Sequence, residues 1–427
     1  MEQLMYHVWR YRLFTTRSLM TTDGIPFEVI DPGLRNSDSG PDFFNAKLKF
    51  GDTVWAGNLE IHNRSSDWYH HGHHRDESYD NVILNVVSTH DAEVYRTNGD
   101  KIRQFVLPLS EELLDDYNYL TTRPEETVPC AFRFRELEPL ILSDWKSALA
   151  TERLLEKANR IKGLVDRYQG NWEEAFYIVL CRSFGTGINS DAFERLARSL
   201  PFNYLLKHID SRLQTEAFLF GQAGFLEEEN DHPYYCLLQR EYRLLRTKFR
   251  LKPLPVTMWR LFRLRPNAFP QVRIACLASL LYRQKRLFSI FMEAESPDAL
   301  RMLFRVELHA FWENHYQFGQ VATEKAKGLG SQTVDSILIN TLVPMLFAYG
   351  ERTCNRMLEE RAVAILEQMA AEDNRIVRMW KQTAIGVENA FDSQAVIQLQ
   401  REYCDRKKCL FCRIGHQLLR CSFISSQ

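Results

Sequence analysis

GPDFFNAKLKFGDTVWAGNLEIHNRSSDWYHHGHHRDESYDNVILNVV, residues 40–87, decides how the N-terminal part of this chain is read. Two strand-like runs, Phe43–Phe50 and Val54–Ile61, flank the turn formers Gly51-Asp52 and predict a hairpin. Val82-Ile83-Leu84-Asn85-Val86-Val87 is a short, nearly unbroken apolar run, the pattern of a strand buried on both faces. Between them lies a polar, histidine-rich stretch from Asn63 to Asp80. Upstream, Glu2 to Phe14 carries Leu4, Met5, Val8, Trp9 and Leu13 near helical spacing. Ile25–Ile30 reads as a strand stopped by Asp31-Pro32-Gly33. Downstream, Glu93–Arg96 and Ile102–Leu107 read as a second hairpin turning at Asn98-Gly99. The order helix, three strands, helical or irregular stretch, strand describes a small α/β domain.

Beyond Thr121-Thr122-Arg123-Pro124 the texture changes. From Leu140 to about Leu399 helix follows helix, with stops such as Tyr168-Gln169-Gly170, Leu200-Pro201 and Lys252-Pro253-Leu254-Pro255. At 427 residues the chain is too long for one ordinary core. The expected organisation is α+β and multidomain: an α/β metal-site domain over 1–120, a mostly all-α region over 121–400, and a cysteine motif over 401–427. The net charge of -1 averages two unlike regions. Residues 1–110 hold 15 acids against 11 bases, whereas Tyr235 to Arg286 holds 13 Lys or Arg against Glu241 alone. Nine cysteines, six of them scattered, do not make a disulfide framework and suit a reducing compartment. The N-terminus has no secretory h-region, and no run of 18 apolar residues is present. The cytoplasm is the expected location, with no membrane partner.

Period-2 alternation puts Glu60 and His62 on one face of their strand. Asp42 opens the preceding strand and shares a face with Phe44, Ala46, Leu48 and Phe50. A three-residue loop, Gly51-Asp52-Thr53, sets Phe50 opposite Val54 and Asp42 opposite His62. A two-residue loop sends Asp42 to the other face. The apolar matching of Phe44, Ala46, Leu48 and Phe50 with Val54 and Ala56 favours the first register. Two carboxylates converging beside an imidazole make a divalent-metal site: Mg²⁺ wants oxygen ligands, and Mn²⁺ also tolerates imidazole.

Pro41-Asp42, an 18-residue step, then Glu60-Ile61-His62 resembles the PD-(D/E)XK nuclease pattern on an αβββαβ order. That resemblance implies a restriction-endonuclease-like domain and a divalent-metal-dependent nuclease cleaving DNA or RNA. Asp42 and Glu60 then bind Mg²⁺ or Mn²⁺, and His62 stands where the pattern expects a Lys that handles the water. A neutral imidazole can act as base or ligand but is not a permanent cation. The alternative is a nuclease-like protein that binds nucleic acid, or serves as a scaffold, without turnover. Glu2 or Glu28 can supply the early acid that many such nucleases carry. The stretch 40–87 also resembles an uncharacterised bacterial family labelled only as a domain of unknown function, and this resemblance extends over most of the chain, including the C-terminal cysteines.

His70, His71, His73 and His74 crowd one segment. His71-Gly72-His73 followed by Asp76 has ligand-like types at short spacing, and His71 and His73 are candidates to line the cleft. The blander reading is a solvated turn whose Trp68 and Tyr69 pack the domain edge, with Asp67 and Ser65 or Ser66 as caps. In the helical region, Arg240, Arg243, Arg246, Lys248, Arg250 and Arg263 interleave with Tyr242, Phe249, Trp259 and Phe262. Bases with rings suit a nucleic-acid backbone, whereas a solvated face pairing with Glu227-Glu228-Glu229 is the structural alternative. At the C-terminus, Cys404-x4-Cys409-x2-Cys412 can hold zinc or an iron–sulfur cluster, with His416 or Cys421 as fourth ligand. Without a metal, Arg406, Lys407 and Lys408 are expected to lower the thiol pKa values.

Overall fold

The computed structural model describes residues 1–14, 19–36, 38–122, 128–262, 264, 268–321 and 328–425. The fold is mixed α+β and divides into two compact units. The first comprises Met1–Trp145, Met379–Ile385 and Leu399–Gln427, so the C-terminal cysteine segment belongs with the N-terminal sheet. The second comprises Lys146–Arg378 and Gly386–Gln398 and is mostly helical.

In the first unit, helix α1 (Glu2–Arg10) precedes the strands β1 (Leu19–Met20), β2 (Pro26–Asp31), β3 (Leu34–Arg35), β4 (Phe43–Phe50), β5 (Thr53–Arg64), β6 (Val82–Thr89) and β7 (Gln104–Val106). They form one sheet in the order β1-β2-β4-β5-β6-β7, with β3 also paired to β4. β2, β4 and β5 run as an antiparallel meander. The chain then crosses over through helix α2 (Asp67–His70) and two 3-10 turns, so β6 pairs parallel to β5. The apolar stripe of α1 (Leu4, Met5, Val8 and Trp9) closes one core with Phe43, Ala46, Leu48, Leu59, Ile61, Leu84 and Val86. β6 is buried from Val82 through Val87, as its unbroken apolar run predicts.

Two expectations are corrected here. The Asn98-Gly99 turn forms, with Gly99 at φ 86°, but the flanking segments pair only at Tyr95 and Lys101. β7 instead lies parallel to β6, where Phe105 and Leu107 gain burial that an isolated hairpin cannot give them. The β4–β5 loop is Gly51-Asp52 alone, with Phe50 opposite Thr53. By itself that register sends Asp42 away from Glu60. A β-bulge between Phe43 and Ala46 restores the phase: Asn45 takes a left-handed conformation, φ 55°, and Phe43 pairs with Leu59. Phe43 rather than Phe44 therefore faces the core. Asn is among the residues that adopt this conformation most readily.

Gly57 lets β5 and β6 approach. A Cβ there meets Ile83 Cγ2 at 2.4 Å and the Asn81 carbonyl oxygen at 2.7 Å. Gly57→Ala is expected to destabilise the protein by about 1–3 kcal/mol, as overpacking does; urea unfolding of the two proteins checks this.

The second unit packs helices such as Trp172–Phe184, Arg212–Gln222, Pro233–Phe249 and Pro270–Arg283 around a large aromatic and aliphatic core. One run, Ser331–Thr353, is long and apolar enough to cross a membrane by composition, and 72% of its most apolar window is buried inside the protein.

Candidate metal centre

Asp42 precedes β4, and Glu60 and His62 lie on β5. The bulge makes Asp42 the neighbour of Glu60, and the two carboxylates are interlocked through the backbone. The Asp42 N–H donates to Glu60 Oε2 at 3.0 Å, and the Ile61 N–H donates to Asp42 Oδ2 at 2.9 Å. Tyr6, from the first turns of α1, lies beside the Asp42 side chain. Glu2, one turn earlier, adds negative charge to both carboxylates and accepts a bond from Asn63 Nδ2. Of the two early acids named by the sequence, Glu2 therefore belongs here, whereas Glu28 is exposed on β2 opposite Lys49.

Glu60 is 6% exposed and His62 1% exposed. Burial, then the neighbouring carboxylates, pushes Asp42 up to about 7. Burial, reinforced by Glu2, pushes Glu60 up to about 8 against the pull of the Asp42 N–H. Burial pushes His62 down to about 4, so its ring is neutral at pH 7. Tautomer follows from partners. His62 Nδ1 lies 3.0 Å from Asn85 Oδ1. Asn85 Nδ2 is itself committed to Gln104 Oε1, so the Asn85 oxygen accepts and His62 Nδ1 carries the proton. Gln104 in turn donates to the Ala92 carbonyl.

The chain His62–Asn85–Gln104 leaves the His62 Nε2 lone pair without a hydrogen-bond partner in a buried place, and His73 Nε2 is equally orphaned. They lie 3.8 Å and 3.4 Å from Glu60 Oε1. Burial lowers the His73 pKa as well. His73 gets there because α2 ends at His70 and Gly72 adopts φ 80°, turning the chain back so that His73 stacks on Tyr79 with 3.8 Å between ring centroids. The exposed His71 completes a group: one ligand atom from each of His62, His71 and His73 lies within 4.8 Å of the others. Asp76 is not part of it, since its side chain caps the 3-10 turn through the Ser78 N–H. Trp68 and Tyr69 pack the edge as the blander reading has it, bonding the Tyr95 and Glu93 carbonyls.

A carboxyl oxygen and two or three imidazole nitrogens converging on one point fit a divalent cation. The nitrogen content favours Mn²⁺, Fe²⁺ or Zn²⁺ over Mg²⁺, which prefers oxygen. Sequence reasoning passed over Tyr6, Asn85 and Gln104. Asn85 was the readable signal, a lone amide inside a strand buried on both faces, where an unpaired polar group is costly.

The cysteines gather differently from the expectation. His416 Nδ1 lies 3.0 Å from His7 Nε2, so His416 is engaged with α1. Cys421 lies one helical turn further on, within 4.0 Å of Gln417 Nε2. Cys404, Cys409 and Cys412 instead lie within electrostatic reach of Cys130, one of the six scattered cysteines. Their thiol pKa values are raised, chiefly by burial, and not lowered by the adjacent Arg406, Lys407 and Lys408.

In the second unit, Arg240, Arg243, Arg246, Lys248 and Arg250 are exposed on or just after helix Pro233–Phe249. Arg246 pairs with Glu227 at 3.3 Å, and Lys248 Nζ lies 3.1 Å from His208 Nε2. The interleaved rings mostly turn inward. Tyr242 and Trp259 are buried and Phe249 is half-buried, which leaves Phe262, 81% exposed, as the ring that faces solvent. Gly221 makes room for Tyr242, since a Cβ there falls 2.0 Å from the ring. Arg263 lies outside the described residues.

Fold and centre together define a two-unit α+β protein whose N-terminal sheet carries a buried cluster of carboxylates and imidazoles. The chain belongs to the family described as protein of unknown function (DUF2851), which matches residues 2–375. The match takes in the whole N-terminal centre and ends before Cys404. No curated protein and no solved structure matches the chain.

Proposed function

We propose that this protein is a divalent-metal-dependent nuclease in which Asp42, Glu60, His62 and His73 hold the cation. The observation that carries the reading is the pair of orphaned imidazole nitrogens aimed at Glu60 Oε1 beside the interlocked Asp42 carboxylate. A helix, an antiparallel meander and a parallel crossover strand, with the carboxylates at the start of β4 and on β5, agree with a restriction-endonuclease-like domain. The exposed bases of the second unit supply attraction for a phosphate backbone.

A divalent cation, when bound, polarises a phosphoryl oxygen and stabilises the charge that develops on it. The chain's own residues do the rest. Asn85 holds the Nδ1 proton of His62, so the Nε2 lone pair stays directed at the carboxylates. His62 is neutral at pH 7, which leaves that lone pair free to bind the cation in the place where the related pattern has a lysine. The Ile61 N–H fixes the Asp42 carboxylate by a hydrogen bond, and burial of Glu60 keeps water from competing for its free oxygen.

Labelled single- and double-stranded DNA and RNA, incubated with Mn²⁺ or Mg²⁺, test the proposal. Cutting is expected with Mn²⁺ above Mg²⁺, following the mixed nitrogen and oxygen ligand set. The absence of a lysine beside Glu60 favours a second reading, binding without turnover; gel retardation with no cleavage under either metal establishes it. Asn85→Leu supplies a finer check. It frees the His62 tautomer and is expected to weaken Mn²⁺ binding about 10–100-fold, as loss of a ligand's hydrogen-bond partner does, measured by calorimetric titration.

A further inference from the structure

Cys404, Cys409 and Cys412 are brought to one place by a tight reversal. Lys407 sits at φ 53°, its N–H bonds the Cys404 carbonyl at 3.0 Å, and the Lys408 N–H bonds the Tyr403 carbonyl at 2.8 Å. A 3-10 turn, Cys409–Phe411, follows, and the Cys412 N–H returns to the Cys409 carbonyl at 3.2 Å. This turn lies hard against the start of helix Arg413–Ser425. A Cβ at Gly415 falls 2.2 Å from the Cys409 carbonyl oxygen, so only glycine permits the approach.

Cys130 arrives from a distant part of the sequence, at the head of the 3-10 helix Ala131–Glu136. It packs against the same core as Cys409 and lies within electrostatic reach of Cys409 and Cys412. Cys404 is within reach of all three others. No disulfide joins any of them. The backbone of Ile414 and Gly415 and the Trp145 side chain lie beside Cys412, and the buried Trp145 indole N–H has no hydrogen-bond partner. The group is also roomy. A tetrahedral zinc, at about 2.3 Å from each sulfur, holds its thiolates roughly 3.8 Å apart. Among the described residues, only the three N-terminal histidines bring three ligand atoms within 4.8 Å of one another. The four thiols are therefore spread more widely than one ion requires.

We propose that Cys130, Cys404, Cys409 and Cys412 form a four-thiolate centre that holds an iron–sulfur cluster, with Cys130 as the fourth ligand in place of His416 or Cys421. Four cysteines, Cys412 buried and Cys130, Cys404 and Cys409 half-buried, are the ligand set such clusters take. The cluster ties residue 130 to the C-terminal segment of the same unit, closing a very long loop. It is separate from the carboxylate–imidazole centre and does not depend on the nuclease reading.

The full chain, purified without oxygen, is analysed for iron, acid-labile sulfide and zinc, together with its visible absorption. Iron and sulfide in equal amounts, with a visible band that bleaches on reduction, is the expected result. Cys130→Ser and Cys412→Ser are expected to lose most of the iron, while Cys421→Ser and Cys236→Ser retain it. Should Cys130→Ser fail to fold, chelator-driven loss of iron from the wild type, followed by circular dichroism, reads the same linkage without a variant. Zinc in place of iron and sulfide overturns the assignment, as does a wild type carrying neither. Retention of iron by a folded Cys130→Ser protein overturns the role given to that residue.

Discussion

Glu60→Gln is expected to lower metal-dependent cleavage at least ~10³-fold, a loss of about 4 kcal/mol of transition-state stabilisation. The amide keeps an oxygen to accept the Asp42 N–H, now bonded to Glu60 Oε2 at 3.0 Å, so the hairpin is preserved. What disappears is the negative charge. In addition, the new NH₂ group can donate to His62 Nε2 or His73 Nε2, which lie 3.8 Å and 3.4 Å from Glu60 Oε1. The substitution thus fills the place of the cation with hydrogen bonds of its own. Single-turnover cleavage under Mn²⁺ measures the effect. Asp52→Asn, in the exposed β4–β5 turn, is the matched control and is expected to cut like the wild type.

Asp42 and Glu60 are expected to withdraw about 2 kcal/mol of stability from the metal-free protein between pH 6.5 and pH 8. Asp42 is held near 7 and Glu60 near 8 in the folded chain, raised from carboxylate values near 4. A carboxyl group with a raised folded pKa contributes stability that is complete below its unfolded pKa. That contribution is lost as pH climbs through the folded value. Below about pH 6.5 the lowered pKa values of His62, about 4, and His7, about 3, act in the opposite sense, because the unfolded imidazoles bind protons that the folded ones refuse. Unfolded imidazoles still hold protons at pH 6.5, so this opposing effect offsets part of the carboxylate loss until about pH 7.5. Glu174 and Glu216 in the second unit are also raised and share its sign, so the slope is compared with that of Glu60→Gln, which should be shallower. Urea unfolding in the presence of a chelator gives both slopes. Saturating Mn²⁺ is expected to reverse the trend, since the cation binds the deprotonated carboxylates and imidazoles.

The fold could be read from the sequence wherever burial alone set the pattern. The stripe of α1, the two strands of the hairpin and the doubly buried β6 follow from apolar periodicity. The pairing of Asp42 with Glu60 was legible as a spacing but not as a register. The observed two-residue loop shifts the expected register by one residue and the Asn45 bulge by one more, so the face is kept while Asp42 comes opposite Glu60 instead of His62. A bulge turns on the conformation of one residue, which periodicity does not report. His71 and His73 were singled out for their type and crowding; Gly72 is what turns His73 inward. The cysteine cluster was half legible. Three members lie close in sequence, but Cys130 joins them only through the packing of the first unit, and nothing in its local sequence marks it. The aromatic residues among the bases were misread for a related reason. Composition gives their presence, while the helical face that carries Tyr242 toward Gly221 is set by the core.

Electron paramagnetic resonance of Mn²⁺ titrated into the full chain tests the central claim most directly, because free and bound ions give different signals. The expected result is a tightly held ion in the wild type that is lost in both Glu60→Gln and His62→Ala, which remove a carboxylate and an imidazole from the same point. Equal binding by the wild type and both variants, or no binding by any of them, contradicts the assignment of a metal centre to Asp42, Glu60, His62 and His73.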